Sequence, residues 1–249
     1  MSKEQEKNSR RKKSVIKDIE DHSRINDILL GFIERPAIQW LVEHLPAWVM
    51  PDHLTFLGFL AAILIGVSYA LTNYDPRFLW LASFGFLLNW FGDSLDGNLA
   101  RYRKIERPQY GFFIDHTVDT ISEVFIFLGF GLSPYVDYRL ASLALIGYLC
   151  MANLVYITTS VQGKFKISYG KLGPTEVRMI AIISNTIVFF IGNPVLSLPI
   201  GRFSLYNIIL MGITFLLFFF FTYTTITQAV EFAKKDQIKL DKKAKKKKK

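Results

Sequence analysis

The chain has 249 residues, 51% of them hydrophobic and 20% charged, with a formal net charge of +9 and one cysteine. A lone Cys150 excludes an intrachain disulfide and argues against dithiol redox chemistry. The basic excess does not indicate nucleic acid, because lysine and arginine gather at the two ends and in two internal connections, as in a membrane protein that records its orientation.

Residues 1–24 are hydrophilic, with Arg10, Arg11, Lys12 and Lys13 in a row, and read as a disordered basic arm in the cytosol. No apolar core follows the arginine pair at the distance an export signal requires. Over 25–50, Ile25, Ile28, Leu29, Phe32 and Ile33 follow helical spacing. Pro36 interrupts the pattern, and Ala37, Trp40, Leu41, Leu45 and Trp48 continue it, while Glu34, Arg35, Glu43 and His44 take other faces. This segment is too polar to span, and its tryptophans suit the headgroup layer, so it reads as an amphipathic juxtamembrane helix. Packing against the first span explains the same stripe equally well.

Six apolar runs follow, near 54–72, 77–97, 111–133, 138–161, 174–193 and 205–229, each reaching the roughly 20 residues that cross a bilayer. The fold expected is therefore an all-α membrane domain of six transmembrane helices over 51–233. Short connections at 73–76, 133–137 and 192–201 are rich in turn formers. Of the 30 basic residues, those in the two terminal segments and in the second and fourth connections would face one side. Only Arg77, Arg139 and Arg202 would face the other. That asymmetry places both termini in the cytosol and requires an even number of spans. The Lys-rich tail, 234–249, reads as a solvated end that would also be attracted to anionic lipid. The phenylalanine-rich run 215–221 reads as lipid-facing bulk.

Four aspartates lie between the second and third runs. Asp93 and Asp96 are three residues apart; Gly111, Asp115 and Asp119 follow at intervals of four. Each set falls on one helix face, so two antiparallel helices joined by a cytosolic connection aim four carboxylates into one space. Uncompensated, such a cluster would have to take up protons; a divalent ion resolves it, and all-oxygen ligation favours Mg²⁺ or Mn²⁺ over zinc. Gly97 allows close approach of a ligand backbone, and Arg101, four residues on, suits bidentate grip of a phosphate. Metal, arginine and carboxylate together describe phosphoryl transfer. A structural salt-bridge cluster is the plainer alternative.

The pattern Asp93-x-x-Asp96-Gly97-x-x-Ala100-Arg101, then Gly111-x-x-x-Asp115-x-x-x-Asp119, resembles the signature of the CDP-alcohol phosphotransferases. Nine residues, 102–110, separate Arg101 from Gly111, where the family usually has eight. The resemblance implies six transmembrane helices after an amphipathic helix, a homodimer, and two divalent metals. The reaction implied is attack of an alcohol on a CDP-alcohol with release of CMP. Asp93, Asp96 and Asp115 match metal ligands, and Asp119 matches the general base, also near the second metal. Gly97 and Arg101 match positions that contact the CDP phosphates and ribose, with Gly111 the signature's second glycine. Upstream, Pro51-Asp52-His53-Leu54-Thr55 resembles a family Pro-Asn-x-x-Thr element whose threonine, here Thr55, lies near the nucleotide; Asp52 stands in the asparagine position. A helix N-cap accounts for the same segment.

His116 after Asp115, and Gly173-Pro174-Thr175-Glu176 at the start of the fifth run, resemble the choline and ethanolamine branch, where the donor is a soluble CDP-amino alcohol and the acceptor diacylglycerol. There His116 would share in deprotonating the acceptor. Many short members instead join CDP-diacylglycerol to a polar alcohol. Either way one substrate is a lipid. Arg178 and Glu176 lie within a span and are candidate substrate contacts, or simply each other's partner. Lys164, Lys166 and Lys171 are candidate phosphate contacts or ordinary positive-inside charge. The membrane expected is the bacterial inner membrane, or the endoplasmic reticulum in a eukaryote. A transporter using the carboxylates as a cation site is the reading from another class; it would place the acids at the bilayer midplane on broken helices.

Overall fold

The computed structural model describes residues 31–162, 174–198 and 201–247. They form seven helices: α1 (Gly31–His44), α2 (Pro51–Leu71), α3 (Phe78–Tyr102), α4 (Pro108–Gly131), α5 (Tyr138–Gln162), α6 (Pro174–Ile191) and α7 (Leu205–Lys247). Between α6 and α7 lies an antiparallel hairpin of β1 (Val195–Leu198) and β2 (Gly201–Ser204), with Val195 opposite Ser204. The arm 1–24, the start of the juxtamembrane segment and Lys164, Lys166, Lys171 and Gly173 fall outside the described residues.

Prolines open three helices, α2 at Pro51, α4 at Pro108 and α6 at Pro174. A proline at the first helical position sacrifices no hydrogen bond, since that N–H has no intrahelical acceptor. At the start of α2 the Met50 N–H donates to His53 Nδ1 at 3.2 Å, satisfying a donor that the helix leaves over.

Helices α2, α5 and α6, and residues Leu205–Ile238 of α7, are long and apolar enough to cross a membrane. The chain is thus an integral membrane protein of predominantly helical fold. Helices α3 and α4 have the length, 25 and 24 residues, but they carry Asn89, Asp93, Asp96, Asp115, Asp119 and Glu123. Those polar residues turn away from the periphery, because α3 and α4 both pack on α2 at very short range. A Cβ on Gly92 would lie 2.5 Å from the Leu54 carbonyl oxygen, and one on Gly129 would lie 2.2 Å from that of Gly66. Only glycine permits these crossings, and they bring the acid-bearing faces together.

The main core gathers at the end away from the acids, around Ile65, Tyr69, Leu79, Phe86, Val188 and Tyr206. It is pinned by Asn185, 1% exposed. Asn185 Oδ1 accepts from the Tyr69 hydroxyl at 2.9 Å and from that of Tyr206, while its Nδ2 donates to Ser83 Oγ at 3.0 Å. A second cluster, Val42, Val49, Leu54, Leu95 and Leu99, joins α1 to the ends of α2 and α3.

The connection 192–201, expected to be short and rich in turn formers, carries β1 of the hairpin, paired with 201–204. Two expectations need revision. The final helix does not stop near 229 but runs to Lys247. Its lysines, glutamates and glutamines are good helix formers, and pairs such as Lys235–Glu231 at 2.5 Å and Gln237–Asp241 at 3.2 Å support it. Pro36 lies inside α1 rather than interrupting it. Leu41 of α1 and Leu45 just after it pack on the Leu95–Leu99 cluster, while Trp40 and, in the linker, Trp48 remain 59% and 73% exposed.

Candidate active site

Five side chains from three helices converge at one end of the bundle. Thr55 of α2, Asp93 and Asp96 of α3, and Asp115 and Asp119 of α4 line a single cleft with an empty volume of about 240 Å³, together with Gly58, Asn89 and Ser122. The i, i+3 and i, i+4 spacings put each pair on the face that α2 draws inward. The four aspartates expected to act together are therefore together in space.

Two of the acids are oriented by neighbours. Asp96 Oδ2 accepts from Thr55 Oγ1 at 2.7 Å, and its Oδ1 accepts from the Gly97 N–H at 2.5 Å. Asp93 Oδ2 accepts from Arg178 Nη2 at 2.7 Å, and Arg178 Nε donates to Asn89 Oδ1 at 2.9 Å. Arg178, reaching in from α6, is 14% exposed. Its partner is Asp93 rather than Glu176, which is separately buried at 5% exposure.

On α4, candidate donor atoms of Asp115, His116 and Asp119 all lie within 4.8 Å of one another. His116 Nδ1 is 3.9 Å from Asp115 Oδ2. Its ring meets Phe112 edge-on at 4.3 Å and the Tyr156 ring of α5 at 5.5 Å. His116, expected beside the base, thus stands equally within the possible ligand group.

Other expected residues lie outside the cleft's lining. Arg101, in the last turn of α3, donates to Asn98 Oδ1 at 3.0 Å. Gly97 faces it, since a Cβ there would lie 3.4 Å from Arg101 Nη1. Gly111 is exposed at the start of α4, with nothing within 4 Å of where a Cβ would stand. Asp52 does not cap its helix; it pairs with Arg107, whose guanidinium lies 4.2 Å above the Tyr110 ring.

The contacts made by three further residues were not read from the sequence. Asn89 sits one turn before Asp93, and that i, i+4 position in an apolar run was the available signal. Arg103 donates to the carbonyls of Leu45, Pro46, Ala47 and Val49, strapping the α1–α2 linker to the α3–α4 connection. Glu34 of α1 accepts at Oε1 from Trp90, Ser94 and Thr175; nothing local in the sequence signals it.

The donor set fits a divalent cation. Four carboxylates face one guanidinium, an excess of negative charge that a hard cation would neutralise, and oxygen donors predominate. A profile of the CDP-alcohol phosphatidyltransferases matches residues 48–220, more than two-thirds of the chain and all of the cleft except what α1 adds behind it. The chain belongs to the CDP-alcohol phosphatidyltransferase family. Members of this family are in general dependent on divalent metal. Cholinephosphotransferase 1 of Danio rerio is 26% identical over 189 residues, covering 68% of this chain and 48% of that protein. Phosphatidylinositol phosphate synthase of Cutibacterium acnes is 39% identical over 89 residues, 35% of this chain and 40% of that one. CDP-diacylglycerol–serine O-phosphatidyltransferase of Encephalitozoon cuniculi is 34% identical over 123 residues, 44% and 31% respectively. The chain spans about half, or less, of the length of these relatives.

Proposed function

We propose that this protein transfers a substituted phosphate group from a CDP-alcohol to an acceptor alcohol with release of CMP, in phospholipid synthesis, at least one substrate being a lipid. The observation that carries this is the convergence of Asp93, Asp96, Asp115 and Asp119 from α3 and α4 on one cleft, with Thr55 and Arg178 orienting two of them.

Asp93, Asp96, Asp115 and Asp119 would hold Mg²⁺ or Mn²⁺, two ions in all, which when bound neutralise the pyrophosphate and the departing CMP. Arg101 and Gly97, side by side where α3 leaves the bundle, would receive the donor's phosphates and ribose. Thr55 fixes the carboxylate plane of Asp96, and Arg178 that of Asp93. Asp119 takes the proton of the acceptor hydroxyl, whose oxygen then forms a bond to the β-phosphorus as the bond from that phosphorus to CMP breaks. His116 is placed to share that proton. Glu176 and Gly111 stay as peripheral candidates for substrate contact.

The membrane arrangement that goes with this reading has six spans, α3 and α4 crossing as a pair, with both termini and the cleft in the cytosol. A homodimer in the bacterial inner membrane, or in the endoplasmic reticulum, completes it. Within the reaction class, two features favour a soluble CDP-amino alcohol as donor and diacylglycerol as acceptor: His116 beside Asp115, and the long match to a cholinephosphotransferase. Transfer from CDP-diacylglycerol to a polar alcohol is the other form, supported by the likeness to the inositol phosphate and serine enzymes.

The test is CMP release by purified protein with CDP-choline, CDP-ethanolamine and CDP-diacylglycerol, each against a panel of acceptor alcohols, with Mg²⁺ or Mn²⁺. Release with one donor–acceptor pair, abolished by chelator, supports the reading and assigns the substrate. Protein that binds Mn²⁺ yet releases CMP from none of them would replace it with cation transport.

A further inference from the structure

We infer that Glu34, on the juxtamembrane helix and outside the cleft, is a positioning residue that sets the geometry of the acid cluster by locking α3 and α6 together. This rests on the transferase reading only for its effect on turnover; the lock itself follows from the contacts.

One carboxylate oxygen of Glu34 accepts three hydrogen bonds, from Trp90 Nε1 at 2.9 Å, Ser94 Oγ at 3.3 Å and Thr175 Oγ1 at 2.8 Å. Trp90 and Ser94 stand four residues apart on one face of α3. Two bonds one turn apart to the same atom resist rotation of α3 about its own axis. Ser94 directly follows Asp93, so that rotation is what decides whether Asp93 points into the cleft.

The third bond reaches Thr175, in the first turn of α6. One turn further on, Arg178 donates to Asp93 at 2.7 Å. The contacts close a ring: Glu34 to Thr175, along α6 to Arg178, across to Asp93, and through Ser94 back to Glu34. Helix α6 is thereby fixed to α3 at two points, one inside the cleft and one behind it. Removing Glu34 takes the acceptor from three donors at once and leaves α6 tied to the cleft-side half of α3 by Arg178 alone, through Asp93 and Asn89, with the Asn185–Ser83 bond two turns further away. A group that hydrogen-bonds a ligand without touching the metal, as Arg178 does Asp93, is typically worth about 10–100-fold in metal affinity, and Glu34, one contact further out, belongs at the low end of that range.

Helix α1 is well placed for the task because its other end is held independently. Arg103 ties the linker after α1 to the α3–α4 connection, and Val42 is buried on Leu95 and Leu99. Glu34 therefore projects from a fixed platform rather than from a free surface helix.

The experiment uses the full-length protein in detergent, with the variants Glu34→Ala, Glu34→Gln, Thr175→Val and Ser94→Ala. Mn²⁺ affinity is read by electron paramagnetic resonance, folding by the thermal midpoint, and turnover by CMP release. Glu34→Ala should weaken Mn²⁺ binding about tenfold with its thermal midpoint close to that of the wild type. Glu34→Gln keeps an oxygen for the three donors and should stay within about threefold of the wild type. The single-hydroxyl variants remove one strut each and should fall between; they also decide the matter if Glu34→Ala does not fold. Wild-type Mn²⁺ affinity in Glu34→Ala or in both hydroxyl variants overturns the inference. So does a loss in Glu34→Gln equal to that in Glu34→Ala, or a loss that only follows the thermal midpoint. Wild-type protein that releases no CMP refutes the transferase reading instead, and the Mn²⁺ comparison still decides the role of Glu34.

Discussion

Asp93 and Asp119 face the same cleft but are held in different ways, and that difference separates their roles. One oxygen of Asp93 is engaged by Arg178 at 2.7 Å, leaving the other to point at a ligand. Asp119 has Asp115 and His116 as neighbours on its own helix and lines the same cleft. Replacing Asp119 with asparagine keeps the shape and one oxygen donor but removes the capacity to take a proton. General-base catalysis contributes about 10²–10⁴ in rate. Asp119→Asn should therefore lose CMP release by about that factor while still binding a CDP-alcohol, measured by equilibrium binding of labelled donor. Turnover near the wild-type value would move the base elsewhere, with His116 the next residue to test. The four acids were legible in the sequence because i, i+3 and i, i+4 spacing on a helix is a local property. Glu34 was not, because its partners stand 56, 60 and 141 residues away, and its own surroundings read as a polar face.

At the scale of the elements, the site depends on how closely α3 approaches α2. Gly92, immediately before Asp93, would place a Cβ 2.5 Å from the Leu54 carbonyl oxygen and 2.6 Å from the Gly58 nitrogen. Backbone cannot yield as a flexible side chain can, so Gly92→Ala must push α3 outward and carry Asp93 with it. Overpacking of this kind costs about 1–3 kcal/mol. The variant should have a lower thermal midpoint and should lose CMP release by more than the fraction unfolded. Gly212→Ala on α7 is the control, having nothing within 4 Å of the added carbon. There helix propensity alone acts, and a stability gain of up to about 1 kcal/mol is expected. If Gly92→Ala behaves like Gly212→Ala, close approach of α2 and α3 is not what shapes the cleft. The boundaries of α2, α5 and α6 were readable from apolar runs, with a proline opening α2 and α6. The hairpin was not, since two strands of four residues carry too short an alternation to stand out. The end of α7 was misjudged because a lysine-rich composition suits both a solvated coil and a helix, and the i, i+4 pairs that favour the helix contribute only tenths of a kcal/mol each.

For the whole molecule the open contest is between four and six crossings, and both are even. Helices α2, α5, α6 and α7 qualify by hydropathy, whereas α3 and α4 carry the acids. Charge distinguishes the two arrangements. If α3 and α4 did not cross, the connection bearing Arg101, Arg103, Lys104 and Arg107 would move to the side holding Arg77 and Arg139, against the bias that orients membrane proteins. Length agrees, because 25 residues of α3 extend ~37 Å at 1.5 Å each, enough for ~30 Å of hydrocarbon. Burial agrees too, since Asn89 and Asp93 contact Arg178 and the cleft rather than lipid. In sealed membranes, with Cys150 replaced by serine, single cysteines at Tyr74, Glu106 and Asp137 would report the sides. An impermeant thiol reagent applied from the cytosolic face should label Glu106→Cys and spare Tyr74→Cys and Asp137→Cys. Labelling of all three from one face would leave α3 and α4 as a hairpin that enters and returns. The acids would then lie on the side opposite the termini, beyond reach of a cytosolic nucleotide donor, and the transferase reading would lose its substrate.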